Sequence, residues 1–124
     1  MKVFIMIGAI SMMLSVALGA FGAHALKDML TERMLANWQT GVLYQMVHSL
    51  GILALGGLLL KVSIPQWSLA AWLMLAGIIF FSGSLYVMAL TNVTKLGAIT
   101  PIGGVLFIAA WILSQLVPIK DYDD

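Results

Sequence analysis

The chain predicts an all-α integral membrane protein, an antiparallel bundle of four transmembrane helices. Three observations carry this. The six basic and five acidic side chains all fall in gaps and tails, leaving charge-free runs at residues 3–26, 34–60, 62–94 and 96–119. Each run exceeds the ~20 apolar residues a helix needs to cross a bilayer. Only 9% of residues are charged and 62% are hydrophobic, whereas a soluble domain carries about 25% charged residues. Finally, the runs are continuous rather than alternating, so helices rather than barrel strands satisfy the backbone in lipid. Four crossings use nearly all of the 124 residues. One transmembrane domain is therefore expected over residues 1–124, with helices at about 3–25, 39–60, 66–90 and 98–117. The net charge of +1 points away from nucleic acid and acidic partners and leaves membrane lipid as the main one. The lack of cysteine excludes disulfides, thiolate metal sites and thiol catalysis.

The first helix carries Ser11, Ser15, Gly19 and Ala23 at four-residue spacing, with Gly8 and Gly22 nearby. Such small side chains let a neighbouring helix approach closely, and packing holds helices together in lipid. Lys2 and the ending Ala23-His24-Ala25 imitate a secretory signal peptide, but the apolar run is longer than a usual signal core, so a retained span is expected. The polar stretch 27–39 reads as an interfacial amphipathic lead-in to the second helix. Thr31 is placed to cap it, and Glu32 suits the positive end of its dipole. Trp38 is expected at headgroup level, with Trp67 and Trp72 as further interface anchors. The short turn Val62-Ser63-Ile64-Pro65-Gln66 makes the second and third helices antiparallel neighbours, and Pro65 fits a first helical turn. The fourth helix begins oddly, at Gly97-Ala98-Ile99-Thr100-Pro101-Ile102-Gly103-Gly104. Either Thr100 caps a short helix that starts at Pro101, or a continuous helix is kinked there. A broken or kinked start is expected over a straight one, because a proline and two glycines coincide.

Even parity puts both termini on one side. Lys2, Lys61 and Lys120 share that side, and Lys27, Arg33 and Lys95 the other. The count is balanced, and the expectation taken here is a cell-membrane protein with cytoplasmic termini.

No carboxylate, lysine or arginine lies within a span, which argues against proton- or sodium-coupled transport. The polar groups left inside are few. Gly41, Tyr44, Gln45, His48 and Ser49 share one face of the second helix. That face must meet protein or a cavity: it forms interhelical hydrogen bonds, or it binds a ligand or handles protons. His24 reads as an interface histidine near a helix C-terminus. It is displaced along the bundle from His48 by on the order of 15–20 Å if the two helices meet at the intervening turn, so no shared metal site or cofactor is expected. Ser82, Ser84 and Tyr86 offer hydroxyls on the third helix, but nothing resembles a nucleophile with its base and oxyanion hole, and no catalytic residue is assigned.

The segments Gly19-Ala20-Phe21-Gly22-Ala23-His24-Ala25-Leu26-Lys27, Tyr44-Gln45-Met46-Val47-His48, Phe81-Ser82-Gly83-Ser84-Leu85-Tyr86 and Gly97-Ala98-Ile99-Thr100-Pro101-Ile102-Gly103-Gly104 closely resemble one family. It is the YgdD/YwdK-type family of small integral membrane proteins, domain of unknown function four-two-three, which has eukaryotic relatives. The resemblance runs through all four helices in order; the acidic tail lies outside it. It implies a bacterial-type plasma-membrane protein with four helices, and brings no activity, cofactor or catalytic residue.

Two functional expectations follow. The first is binding or passage of a small neutral solute or lipid, without catalysis, at a site drawn from His24, Tyr44, Gln45, His48, Ser82, Ser84, Tyr86, Thr100 and Pro101. The alternative is a structural or accessory role in which Ser11, Ser15, Gly19, Gly22, Ala23, Gly103 and Gly104 pack helices within a homo-oligomer or against a partner. The first expects a cavity at Gln45 and His48; the second expects Ser11, Ser15 and Gly19 at a helix contact.

Overall fold

A computed structural model describes residues 2–117. It is an all-α, membrane-spanning bundle of four helical spans. The first span is α1 (Lys2–His24) and the second is α2 (Glu32–Leu58). The third joins α3 (Pro65–Gly77), a π-helical turn (Ile78–Ser82) and α4 (Gly83–Thr91). The fourth joins a 3-10 turn (Thr94–Ala98) to α5 (Thr100–Ser114). The acidic tail and Lys120 lie outside the described residues. The second and third spans form the centre: 50% and 44% of their apolar windows are buried, against 22% and 17% for the outer spans. The second is also the least apolar, with a mean hydropathy of 1.4, because it carries the polar stripe. The exposed Met6, Met13, Val16, Val105, Ile108 and Ile112 are the lipid face that four apolar helices require.

The amphipathic lead-in is the first part of α2 itself. Thr31 caps it, its hydroxyl accepting from the Met34 amide at 3.2 Å, which satisfies an otherwise orphaned N–H.

Helix α1 closes on α2 through Phe4, Gly8, Ser11, Ser15 and Gly22, which are buried. A Cβ on Gly8 would stand 2.8 Å from the Leu53 nitrogen, and one on Gly56 would stand 2.9 Å from Phe4 Cβ. The two backbones approach closely because these side chains are absent. Ala23 was expected on this stripe and is exposed. A strict four-residue step drifts by about 40° per turn of a 3.6-residue helix, so the contact face follows Gly22 instead. Gly22 admits the Trp38 ring, which a Cβ there would meet at 2.6 Å.

Trp38 is consequently a packed residue, not a lipid-facing anchor. It is 3% exposed and donates from Nε1 to the Leu18 carbonyl at 2.9 Å. Trp67 is buried as well, in the core cluster with Phe4, Ile52 and Met74, and its Nε1 has no hydrogen-bond partner among the described residues. Of the three expected anchors, Trp72 is the exposed one, its ring edge-on to Phe4 at 5.0 Å.

The third span is not a uniform helix. At the π turn the Gly83 N–H bonds to Ile78 O, a one-residue insertion that advances the following side chains by about 100°. Ser82 thereby faces α2 and donates to Gly41 O at 2.7 Å. The same turn presents the Phe81 backbone to Gly103 of α5, where no Cβ would fit.

The kinked start of the fourth span is a 3-10 turn running into α5. Thr100 does not cap it. The Ile99 N–H bonds to Leu96 O and the Ile102 N–H to Ile99 O, both at 3.0 Å. The turn thus continues the hydrogen-bonding pattern, and the Thr100 hydroxyl pairs with Ser84 Oγ at 2.6 Å. Asn92 ends α4 in the left-handed conformation (φ 61°) and donates its N–H to Met88 O, as asparagine does at helix C-termini.

Gly8→Ala is expected to lower stability in detergent by about 1–3 kcal/mol, the cost of overpacking. Gly57→Ala, whose Cβ would meet nothing within 4 Å, should stay within about 0.5 kcal/mol of the parent. Equilibrium unfolding of both variants checks the α1–α2 interface.

Candidate functional site

The polar stripe divides into two clusters near the midpoint of α2. Gln45, 5% exposed, is the hub of the first. Its Nε2 donates to the Ser11 carbonyl at 3.0 Å and to Ser11 Oγ at 3.3 Å, while its Oε1 accepts from the Tyr86 hydroxyl at 2.6 Å. Ser49 donates to Ser11 Oγ at 2.6 Å. One amide thus joins the first, second and third spans.

His48 belongs to the second cluster. Its Nδ1 lies 2.7 Å from Tyr44 O, and Trp111 Nε1 donates to its Nε2 at 3.0 Å. A carbonyl only accepts and an indole N–H only donates. His48 is therefore a neutral imidazole carrying its hydrogen on Nδ1. The ring stacks on Phe107 with centroids 3.5 Å apart and planes within 9°. Tyr44 lies against Phe81 at 4.4 Å. These rings line a groove of about 420 Å³ between α2 and α5, with Val47, Gly104, Ile108 and Trp111 completing its walls. Tyr44 is 39% exposed at its edge, and its hydroxyl has no hydrogen-bond partner among the described residues. The arrangement offers flat π faces and one free hydroxyl, with no formal charge.

The structure separates the other candidates. Ser82 and Tyr86 join the interior of the bundle near Gln45 and Gly41. Ser84 and Thr100 pair with each other away from the His48 groove, where Ser84 lines a different hollow with Ile79, Phe80 and Ile99. Pro101 and His24 are exposed. His24 ends α1, whereas His48 stands ten residues beyond Trp38 along α2, about 15 Å of helical rise. Ser11 and Ser15 sit in the α1–α2 contact with Gly19 at its margin, so this stripe is occupied within the chain. Gly103 seats α5 on Phe81, while Gly104 opens into the groove.

Sequence reading missed Phe81, Phe107 and Trp111. The i, i+4 spacing of Phe107 and Trp111 was the available signal, since it places both rings on one face of α5.

Nitrogen-15 spectra at neutral pH should show His48 with a protonated Nδ1 and an unprotonated Nε2. Trp111→Phe keeps a ring and removes the donor. It should move the Nε2 resonance and lower stability by about 0.6 kcal/mol, the mean for one interhelical bond in a membrane.

Comparisons with known proteins find relatives described as membrane proteins. The family model described as "Protein of unknown function (DUF423)" matches residues 18–104. The chain is 50% identical over 121 residues to the UPF0382 membrane protein YwdK of Bacillus subtilis (strain 168), covering 97% of this chain and 98% of that protein. It is 51% identical over 114 residues to the UPF0382 membrane protein SSP2132 of Staphylococcus saprophyticus, covering 91% and 93%. No solved structure matches the chain. Both the family model and these near full-length identities lead to one conclusion: the chain belongs to the UPF0382/DUF423 family of small membrane proteins.

Proposed function

We propose that the protein binds a small, neutral, membrane-soluble molecule in the groove between α2 and α5. The observation that carries this reading is the groove itself: about 420 Å³ at the level of His48, walled by Tyr44, His48, Phe81, Phe107 and Trp111. Stacked π faces suit a flat or branched apolar body. The free Tyr44 hydroxyl suits a single oxygen function on that body. The neutral His48 and the lack of charged side chains among the walls of the groove favour an uncharged occupant over an ion. We read the site as one of binding rather than catalysis, because both nitrogens of His48 are engaged and no acid–base partner faces it.

Gly104→Leu provides the test. A Cβ at Gly104 has only Phe81 Cδ2 nearby, at 4.0 Å, so the backbone there admits a side chain, and a leucine would project into the groove that Gly104 lines. Native mass spectrometry of protein extracted in membrane nanodiscs should find a co-purifying neutral molecule. Gly104→Leu should lose it, and Tyr44→Phe should weaken its retention. Gln45→Leu should keep the molecule while losing about 1–3 kcal/mol of stability. Loss through Gln45→Leu with retention through Gly104→Leu would reject the groove.

The second reading is a structural or accessory role, favoured by the Gln45 network, whose bonds are all internal. Since α1 gives its small-residue face to α2, a homo-oligomer or partner would use the outer faces of α1 and α5. Under either reading we place the protein in the cell membrane with cytoplasmic termini. The natural absence of cysteine makes this simple to check. In intact cells a membrane-impermeant maleimide should label Asp28→Cys and should label Lys61→Cys only after lysis; the reverse pattern inverts the orientation.

A further inference from the structure

A second cavity, of about 330 Å³, opens between α1 and the third span. Ile10, Leu14, Leu75 and Ile78 wall it, and Ser11 and Gln45 form its floor. The hydrogen-bond inventory of that floor has one hydrogen too many. Gln45 donates from Nε2 to Ser11 O and Ser11 Oγ and receives the Tyr86 hydroxyl. Ser49 gives its hydrogen to Ser11 Oγ. Ser11 Oγ therefore receives two hydrogens, and its own has no acceptor among the described residues. Reversing the Ser11–Ser49 bond would only move the surplus to Ser49, which is fully buried and does not line the cavity. The surplus is better placed on Ser11, 7% exposed, which does line it. In hydrocarbon no solvent supplies the missing acceptor.

We propose that this crevice is a second binding site, which takes a neutral aliphatic molecule through a carbonyl or ether oxygen accepting from the Ser11 hydroxyl. The walls are aliphatic, without charge or aromatic ring, and fit an alkyl chain rather than the flat body suited to the other groove. Ser11 stands nine residues into α1, about 14 Å of helical rise from Lys2, well inside a hydrocarbon core about 30 Å thick. The occupant therefore carries its oxygen within the hydrocarbon, as a long-chain ketone or an ester without a charged headgroup does. The site is independent of the α2–α5 groove.

The test compares two photoreactive probes of equal chain length, a diazirine-bearing long-chain ketone and the corresponding alkane, on the full chain in phospholipid nanodiscs. The ketone should label peptides containing Ile10, Leu14 or Leu75 about fivefold more than the alkane, the factor that one hydrogen bond of about 1 kcal/mol supplies. Ser11→Ala should abolish the preference, with folding verified by thermal unfolding. Ile10→Trp, which alters a half-exposed side chain at the mouth, should block labelling without touching the network. Gly104→Leu should leave the preference intact, which separates this site from the groove. Equal labelling by ketone and alkane, the result expected if a trapped water takes the hydrogen, overturns the proposal. So does a preference that survives both Ser11→Ala and Ile10→Trp.

Discussion

The interior of this bundle depends on satisfying one amide in the middle of the membrane. Gln45 has two hydrogens to give and an oxygen that must receive, and hydrocarbon offers neither acceptor nor donor. Its partners come from two different helices: Ser11 of α1 and Tyr86 of α4. Those contacts set the rotation of both neighbours about α2. Each bond contributes only about 0.6 kcal/mol by the mean for membrane proteins, so the network acts more through orientation than through total energy. Rotating α1 away would strand Gln45 and Ser49 together, and that coupling makes the arrangement specific.

Close approach is the second requirement, because the bonds form only where the backbones come near. Gly8 and Gly56 remove the side chains that would separate α1 from α2, and Gly22 makes room for Trp38. The π turn at Ile78–Ser82 provides the corresponding adjustment in the third span. It aims Ser82 at the Gly41 carbonyl and presents the Phe81 backbone to Gly103. A π turn is rare and commonly marks a functional position. Here it lies where the third span must meet α2 and α5 at once, and Phe81, within it, walls the aromatic groove. The same device that seats α5 therefore also shapes the candidate site.

Several features were legible in the sequence because they depend on local chemistry alone. The charge-free runs gave the four spans. Thr31 followed by Glu32 gave the start of α2, and the cluster of Pro101, Gly103 and Gly104 gave the kinked entry to the fourth span. The polar face of α2 was legible too, since helical spacing is a property of the chain. Other features were not. Trp38 and Trp67 carry the composition of interface anchors, yet neighbouring helices cover both, and only the neighbour's position decides between lipid and protein. Ala23 fell off the contact face because a four-residue repeat drifts around a real helix. The π turn has no proline or charge to announce it, and glycines such as Gly77 and Gly83, which flank it, are as common in ordinary membrane helices.

What the sequence alone determined is therefore the solvent of this protein, its four crossings and the short set of uncharged polar groups available within them. Periodicity and composition suffice for that, because the bilayer tests each helix separately. Tertiary structure decided how those groups are divided: Gln45 and Ser49 toward α1, His48 toward Trp111 and Phe107, Ser84 toward Thr100. The division depends on the rotation and spacing of neighbouring helices, which arise from glycine contacts and a π turn acting between segments far apart in the chain. A stripe that reads as one polar face on a single helix thus becomes two separate environments, one a hydrogen-bonded network beneath an aliphatic crevice and one an aromatic groove.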